Sequence, residues 1–269
     1  MQAPDRQQRL SALRDIIADI ERKPALAEAR QSVVTADRDS FPSLAPGLFQ
    51  EVFTDSARNG GASFGFALSQ SKTLLTPRRP VIVYLQLFSD SQFFGLPYGP
   101  GLVAEDFDPA CLIMVRPRTM AELLWVAEEA LSCRAVAGIV ADIGGAPKLL
   151  DFTASRRLAM RAAENGTSLF LLRYGTAREA SAAHLRWHLT PQRSARQDFD
   201  PGAPGAARWR LALERGTTIK RPGAWFLEWT KNGFATLPAG PHGAPRFAPE
   251  PAFPGALPAA LADGLSQTA

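Results

Sequence analysis

The stretch 51-EVFTDSARNGGASFGFAL-68 decides how the chain reads, because its layout is that of a strand, a phosphate-binding loop and a helix. A short apolar strand over Glu51, Val52 and Phe53 enters a Gly/Ser/Asp-rich turn from Thr54 to Ser63. A helix with Phe64, Ala67, Leu68 and Leu75 toward a core is expected to follow. A working P-loop places Lys directly before Ser/Thr at the helix start, since the ammonium reaches the β/γ-phosphates and the hydroxyl holds Mg²⁺. Here Gly60-Gly61-Ala62-Ser63 fills that slot, and the nearest lysine is Lys72 at the far end of the helix. The loop has the layout without the charge.

Outward from this point, apolar runs alternate with helical periodicity. Val81 to Leu85 and Leu112 to Val115 are continuous apolar strands, which predicts that both are buried centrally in a parallel sheet. Thr119 and Glu122 have the spacing of a capping box, ahead of a core stripe of Leu123, Leu124, Val126, Ala127, Ala130 and Leu131. Strand 136–143, a helix over 154–164 stopped at Asn165-Gly166, and strand 168–172 complete a doubly wound α/β pattern with helices on both faces. Met114, Met120 and Met160 read as core fillers by spacing. From 207 to 237 the period changes to two, with Trp209, Leu211 and Leu213 and then Trp225, Leu227 and Trp229 on alternate positions. That predicts an antiparallel C-terminal strand pair at one sheet edge. The tryptophans read as core, with base stacking as the alternative.

The domain 48–237 is flanked on both sides. Residues 1–30 place Leu10, Leu13, Ile16, Ile17 and Ile20 at helical spacing, an amphipathic helix whose stripe meets its own domain or another subunit. Residues 31–47 read as a linker. The tail 238–269 is Pro-rich and expected to be disordered, with the segment 256–265 as a candidate docking peptide.

Charge and cysteine usage narrow the function classes. Residues 151–231 carry 14 Arg/Lys against 7 Asp/Glu, whereas 1–150 carry 15 against 17. The second half is therefore the basic one, and its cations are mostly arginine, whose fork geometry suits phosphate. A solvated basic face is the plain alternative. No apolar run is long enough for a membrane span and the N-terminus is too polar for a signal peptide, so a cytosolic protein is expected. Cys111 and Cys133 lack metal-site spacing and read as buried thiols. His184 and His188 have no third ligand nearby and read as structural or surface residues, so no metal is expected.

The opening LRDIIADIE, then EVF with its GFAL helix, CLIMVRPRTMAELLWVAEEALSCRAVAGIVADIG, DFTASRRLAMRAAENGTSLFLLR and ARWRLALERGTTIKRPGAWFLEW together resemble the RecA superfamily. They resemble more closely the ImuA family of bacterial SOS mutagenesis accessory proteins. The resemblance runs over most of residues 10–230 and implies a RecA-like fold. It also implies a role in translesion synthesis beside a Y-family polymerase-like subunit and an error-prone replicative-type polymerase. Single-stranded DNA, RecA and a second copy of the chain stay open as partners, and the implied location is the bacterial cytoplasm, at the nucleoid when engaged.

In RecA-type ATPases an acidic residue after the second strand activates water, and an Asp at the end of a later strand helps hold Mg²⁺. The matching positions are Gln86, which has no carboxylate, and Asp142. A degenerate nucleotide site of Asn59, Gly60, Gly61, Ser63, Gln86 and Asp142 is thus expected, with no catalytic residue, no cofactor and no efficient hydrolysis. The resemblance places DNA-contacting loops at 144–157 and 173–183. These and their neighbours supply Lys148, Arg156, Arg157, Arg173, Arg178 and Arg186, and surface pairing with carboxylates is an equal alternative. Leu10, Leu13, Ile17 and Ile20 are the expected oligomer or partner contact. The leading expectation is a non-catalytic adaptor of a mutagenesis complex. An SOS division inhibitor of the SulA type and a weak RecA-like ATPase are the alternatives.

Overall fold

A computed structural model of the protein describes residues 41–197, 200, 202–216, 223–231 and 233–238. The expected N-terminal helix, most of the linker and the Pro-rich tail lie outside the described residues. Nine strands form one sheet: β1 (Phe49–Thr54), β2 (Val81–Gln86), β3 (Leu112–Val115), β4 (Val136–Asp142), β5 (Ser168–Tyr174), β6 (Leu185–Gln192), β7 (Arg208–Gly216), β8 (Ala224–Thr230) and β9 (Gly233–Leu237). Their order is β3-β2-β4-β5-β1-β6-β7-β8-β9. Pairing is parallel from β3 through β6 and antiparallel from β6 to β9.

Among the described residues five α-helices join the strands: α1 (Gly60–Lys72), α2 (Ser91–Phe94), α3 (Gly99–Ala104), α4 (Met120–Ser132) and α5 (Phe152–Asn165). The two sheet faces carry separate cores. On one, Leu123, Leu131, Leu158 and Ala162 of α4 and α5 pack on Ile139, Leu169 and Leu171. On the other, Phe66 and Ala67 of α1 pack on Val52, Val140, Trp187 and Trp209. The layout is a mostly parallel α/β sheet with an antiparallel extension, consistent with a RecA-like fold.

Local chemistry explains the helix ends. Thr119 Oγ1 accepts the Glu122 N–H while the Glu122 carboxylate accepts the Thr119 N–H, so the capping box forms. Asp151 caps α5 by accepting the Ala154 N–H at 2.7 Å, and Gly166 closes it at φ 63°, a left-handed conformation cheap only for glycine.

Several expectations need correction. β3 is an edge strand rather than a central one: it pairs only with β2, leaving Ile113 50% and Met114 37% exposed. Met160 is likewise exposed on α5, so neither it nor Met114 fills the core. Cys133 is exposed and Cys111 half-buried, both as free thiols, because each falls at the end of an element rather than inside one. The C-terminal pair is part of a larger antiparallel ladder in which β6 pairs with β7 and β9 with β8. The short β9 carries too little alternation to be read alone. Phe41, inside the expected linker, packs against Phe66, Trp187, Trp225 and Phe234, with its N–H donated to Thr236 Oγ1 at 2.9 Å.

Candidate functional site

The crevice at the carboxyl ends of parallel strands is where α/β sheets bind ligands, and here four of those ends bear Thr54, Gln86, Asp142 and Tyr174. The Gly-rich segment is shorter as a loop than its sequence implies. Ser56 caps a 3₁₀ turn over Ala57–Asn59, and Gly60 and Gly61 are already the first residues of α1. Asn59 makes no side-chain cap, and Ser63 donates its hydroxyl to Gly60 O at 3.0 Å. Its hydroxyl serves the helix backbone.

Asp142 is buried and holds three donors. Tyr174 Oη donates to Oδ1 at 2.7 Å, Tyr84 Oη to Oδ2 at 3.0 Å, and Gln86 Nε2 to Oδ2 at 3.3 Å. Burial pushes the Asp142 carboxyl above its ordinary range, while the bonds from Tyr174, Tyr84 and Gln86 pull against that shift and the nearby Asp90 adds to it. Burial likewise raises both tyrosine hydroxyls, with the Asp142 charge reinforcing the effect. Gln86 Oε1 is buried with no hydrogen-bond partner among the described residues.

Aromatic side chains close this crevice. Phe94 of α2 stacks on the Tyr174 ring with centroids 4.6 Å apart. A Cβ placed on Gly60 would stand 3.2 Å from Tyr174 Oη and 3.6 Å from Phe94, so both rings lie directly over the start of α1. Asp90 accepts the Gly144 N–H at 3.2 Å, which holds α2 across the end of β4. The start of α1, where N–H groups would cradle a phosphate, therefore lies against a tyrosine. Of the six expected nucleotide-site residues, the fold brings Gln86 and Asp142 into direct contact and sets Gly60 and the Ser63 hydroxyl against their tyrosine partner. Tyr84, Tyr174, Phe94 and Asp90 were not foreseen. The available signal was that the strands flanking the Asp142 strand, β2 and β5, each carry a tyrosine near their carboxyl ends.

The basic residues divide into two groups. Arg173, Arg178 and Arg186 converge on the ring of Phe53, at 5.7, 4.0 and 5.3 Å from its centroid. Each is matched by a carboxylate: Arg173 by Glu179 at 2.8 Å, Arg178 by Glu214 at 2.8 Å, and Arg186 by the buried Glu51 at 2.7 Å. The cluster is internally neutralised. Lys148 and Arg156 are exposed and form no ion pair among the described residues, and Arg157 makes an exposed pair with Glu128 at 3.1 Å. His184 Nδ1 accepts the Phe49 N–H at 2.9 Å, whereas His188 Nε2 meets Asp55 at 2.9 Å, so the two histidines serve different partners. Among the described residues no group of three or more His, Cys, Asp or Glu could hold a metal ion. No described helix is long and apolar enough to cross a membrane.

The sheet and its filled crevice define a class: a RecA-like α/β protein in which the P-loop lysine is absent and tyrosines take up the aspartate at the end of β4. Among the proteins it is similar to is Protein ImuA of Caulobacter vibrioides, to which the chain is 37% identical over 155 residues in both strain NA1000 / CB15N and strain ATCC 19089 / CIP 103742 / CB 15. The match covers 54% of this chain and 59% of each relative, so the chain spans less than two thirds of their length. The chain thus resembles ImuA over about half of its length. No protein-family model matches it.

Proposed function

We propose that the chain is a non-catalytic RecA-like accessory protein of an error-prone translesion synthesis complex, acting by protein contact rather than nucleotide turnover. The observation that carries this reading is the Tyr174–Asp142 bond at 2.7 Å: the aspartate expected to help hold Mg²⁺ is taken by a phenol lying over the start of α1. Two further parts of hydrolysis are missing, since Gly60-Gly61-Ala62-Ser63 lacks the lysine and Gln86 replaces the base. Exposed Phe93, Leu96, Val103 and Trp125 offer apolar contact area for partners. The similarity to ImuA supports the biological setting, with the Y-family polymerase-like subunit and the replicative-type polymerase as partners. Contact with single-stranded DNA falls in this reading to Lys148, Arg156 and Arg157, because Arg173, Arg178 and Arg186 are committed to carboxylates.

The test combines a pull-down of the polymerase-like subunit from damaged cells with damage-induced mutation frequency in a deletion strain. Capture of the subunit and loss of induced mutation are expected. Normal mutation frequency without the protein overturns the reading, as does ATP turnover by the purified chain that disappears in Asp142→Ala. Filamentation on overexpression with mutation frequency unaltered points instead to a division inhibitor.

A further inference from the structure

A groove of about 430 Å³ opens beside α1, on the opposite sheet face from α4 and α5. Its walls are Phe64 and Leu68 of α1, Tyr98 and Leu102 at α3, and the indoles of Trp209 and Trp229. It is preformed: Trp209 Nε1 donates to Ala62 O at 2.9 Å, and the Lys72 ammonium bridges Asp106 at 2.8 Å while standing 5.5 Å over Trp229. Gly65 leaves it open, since a Cβ there would meet only Trp209 Cζ2 at 3.6 Å. Its volume falls within the roughly 300–1,000 Å³ of sites that take a ligand, so it has room for several aliphatic side chains.

We propose that this groove is the intramolecular dock of the chain's own N-terminal segment, residues 6–30, which lays Leu10, Leu13, Ile17 and Ile20 against α1, α3 and the two indoles. Three observations select that occupant. The segment has an apolar stripe at helical spacing, and a one-sided stripe must be buried somewhere. It enters the described fold at Phe41, which is fixed on this same sheet face. Phe41 contacts Phe234 at 5.7 Å, and Phe234 contacts Trp209 at 5.8 Å and Trp229 at 5.4 Å, so a single ring separates the anchor from the groove wall. The residues between Ile20 and Phe41 reach up to about 3.3–3.6 Å each when extended, which sets no limit over so short a gap. Tethering then supplies an effective concentration on the order of 1 mM, so an intrinsic dissociation constant near 0.1 mM keeps the groove filled about tenfold over empty. The groove rim carries both signs of charge, at Glu105 and Arg208, as does the polar side of the segment at Arg9, Arg14, Asp15 and Asp19.

The test is disulfide trapping in the full chain with both native thiols removed (Cys111→Ser, Cys133→Ser). Ile17→Cys is paired either with Ser69→Cys in the groove or with Met160→Cys, exposed on α5 across the sheet. Oxidation is expected to give a cross-linked monomer with Ser69→Cys in at least tenfold higher yield than with Met160→Cys. Equal yields at the two positions overturn the proposal, and so does a product of dimeric mass, which places the segment of a second copy in the groove. Gly65→Leu, which plugs the groove from within α1 without burying a polar group, is expected to bring the Ser69→Cys yield down to that of the control. A yield untouched by the plug, in a variant that still unfolds cooperatively, also overturns it.

Discussion

Tyr174→Phe removes one hydroxyl and nothing else, and the crevice geometry sets what that costs. Among the described residues the lost group is the shortest donor to Asp142 and the only side chain bonded to Oδ1, while Tyr84 and Gln86 keep Oδ2. Orphaning a buried carboxylate oxygen costs about 1.5–3 kcal/mol when the carboxyl is ionised and about 0.5–1.5 kcal/mol when it is neutral. The folded pKa of Asp142 is raised, so its favourable contribution is complete below the unfolded value of about 3.9 and is lost as pH climbs through the folded value. Tyr174 restrains that rise, and without it the folded pKa moves higher still. The deficit of the variant therefore grows with pH, toward about 2 kcal/mol where Asp142 is ionised in both proteins. Urea midpoints by circular dichroism at pH 5, 6, 7 and 8 measure it, with Tyr98→Phe as the control because Tyr98 is 72% exposed. Near the melting midpoint the same loss corresponds to about 4–8 °C for a chain of this size. A deficit under about 0.5 kcal/mol at every pH, or one that shrinks as pH rises, refutes the account of the crevice.

Arg186→Ala strands the buried Glu51 carboxylate and is expected to cost about 3–5 kcal/mol in urea unfolding, with Arg186→Met/Glu51→Leu recovering most of it. Burial lowers the pKa of His184 below its ordinary 6.5, so stability is complete above that value and falls as pH drops through the folded one. His184→Gln, which keeps an acceptor for the Phe49 N–H, should flatten the loss between pH 7 and 5 in thermal melts. In salt titrations of single-stranded DNA binding, Arg156→Ala/Arg157→Ala is expected to reduce the log–log slope by about 1.4, and an unchanged slope removes both residues from the contact. Gly47 has φ 85° and its Cβ position lies 3.1 Å from Ala162 O, so Gly47→Ala should lower the melting temperature by several degrees, on the order of 1–3 kcal/mol.

The parallel centre of the sheet was legible because β2, β4 and β5 are covered on both faces, which writes itself as unbroken apolar sequence. The same signal misled at β3, where Leu112, Ile113 and Met114 form an equally apolar run at a sheet edge; composition does not distinguish a covered strand from an edge one. Residues 87–111 gave no periodicity to read, since Pro97, Pro100 and Gly95 break the segment into the short helices α2 and α3. Gln86 and Asp142 were identifiable from their places at strand ends. Their tyrosine partners were not, because Tyr84, Asp142 and Tyr174 meet only once β2, β4 and β5 are registered side by side. The pairing of arginines with Glu51, Glu179 and Glu214 is hidden for the same reason: a net basic count says nothing of which charges are spent inside the fold.

The position of β1 has a consequence for synthesis. It is the first of the described strands to leave the ribosome, yet it lies between the fifth and sixth of them, with Phe49 facing Leu169 and Gln50 facing Leu185. At about 5–20 residues per second, β1 waits on the order of ten seconds for either neighbour, holding Glu51 without its arginine and Phe49 without its histidine. The nascent chain thus carries an unpaired apolar strand until β5 has been made. Its yield in the cell should depend more on elongation rate and on chaperones that shield extended segments than on the stability of the finished sheet.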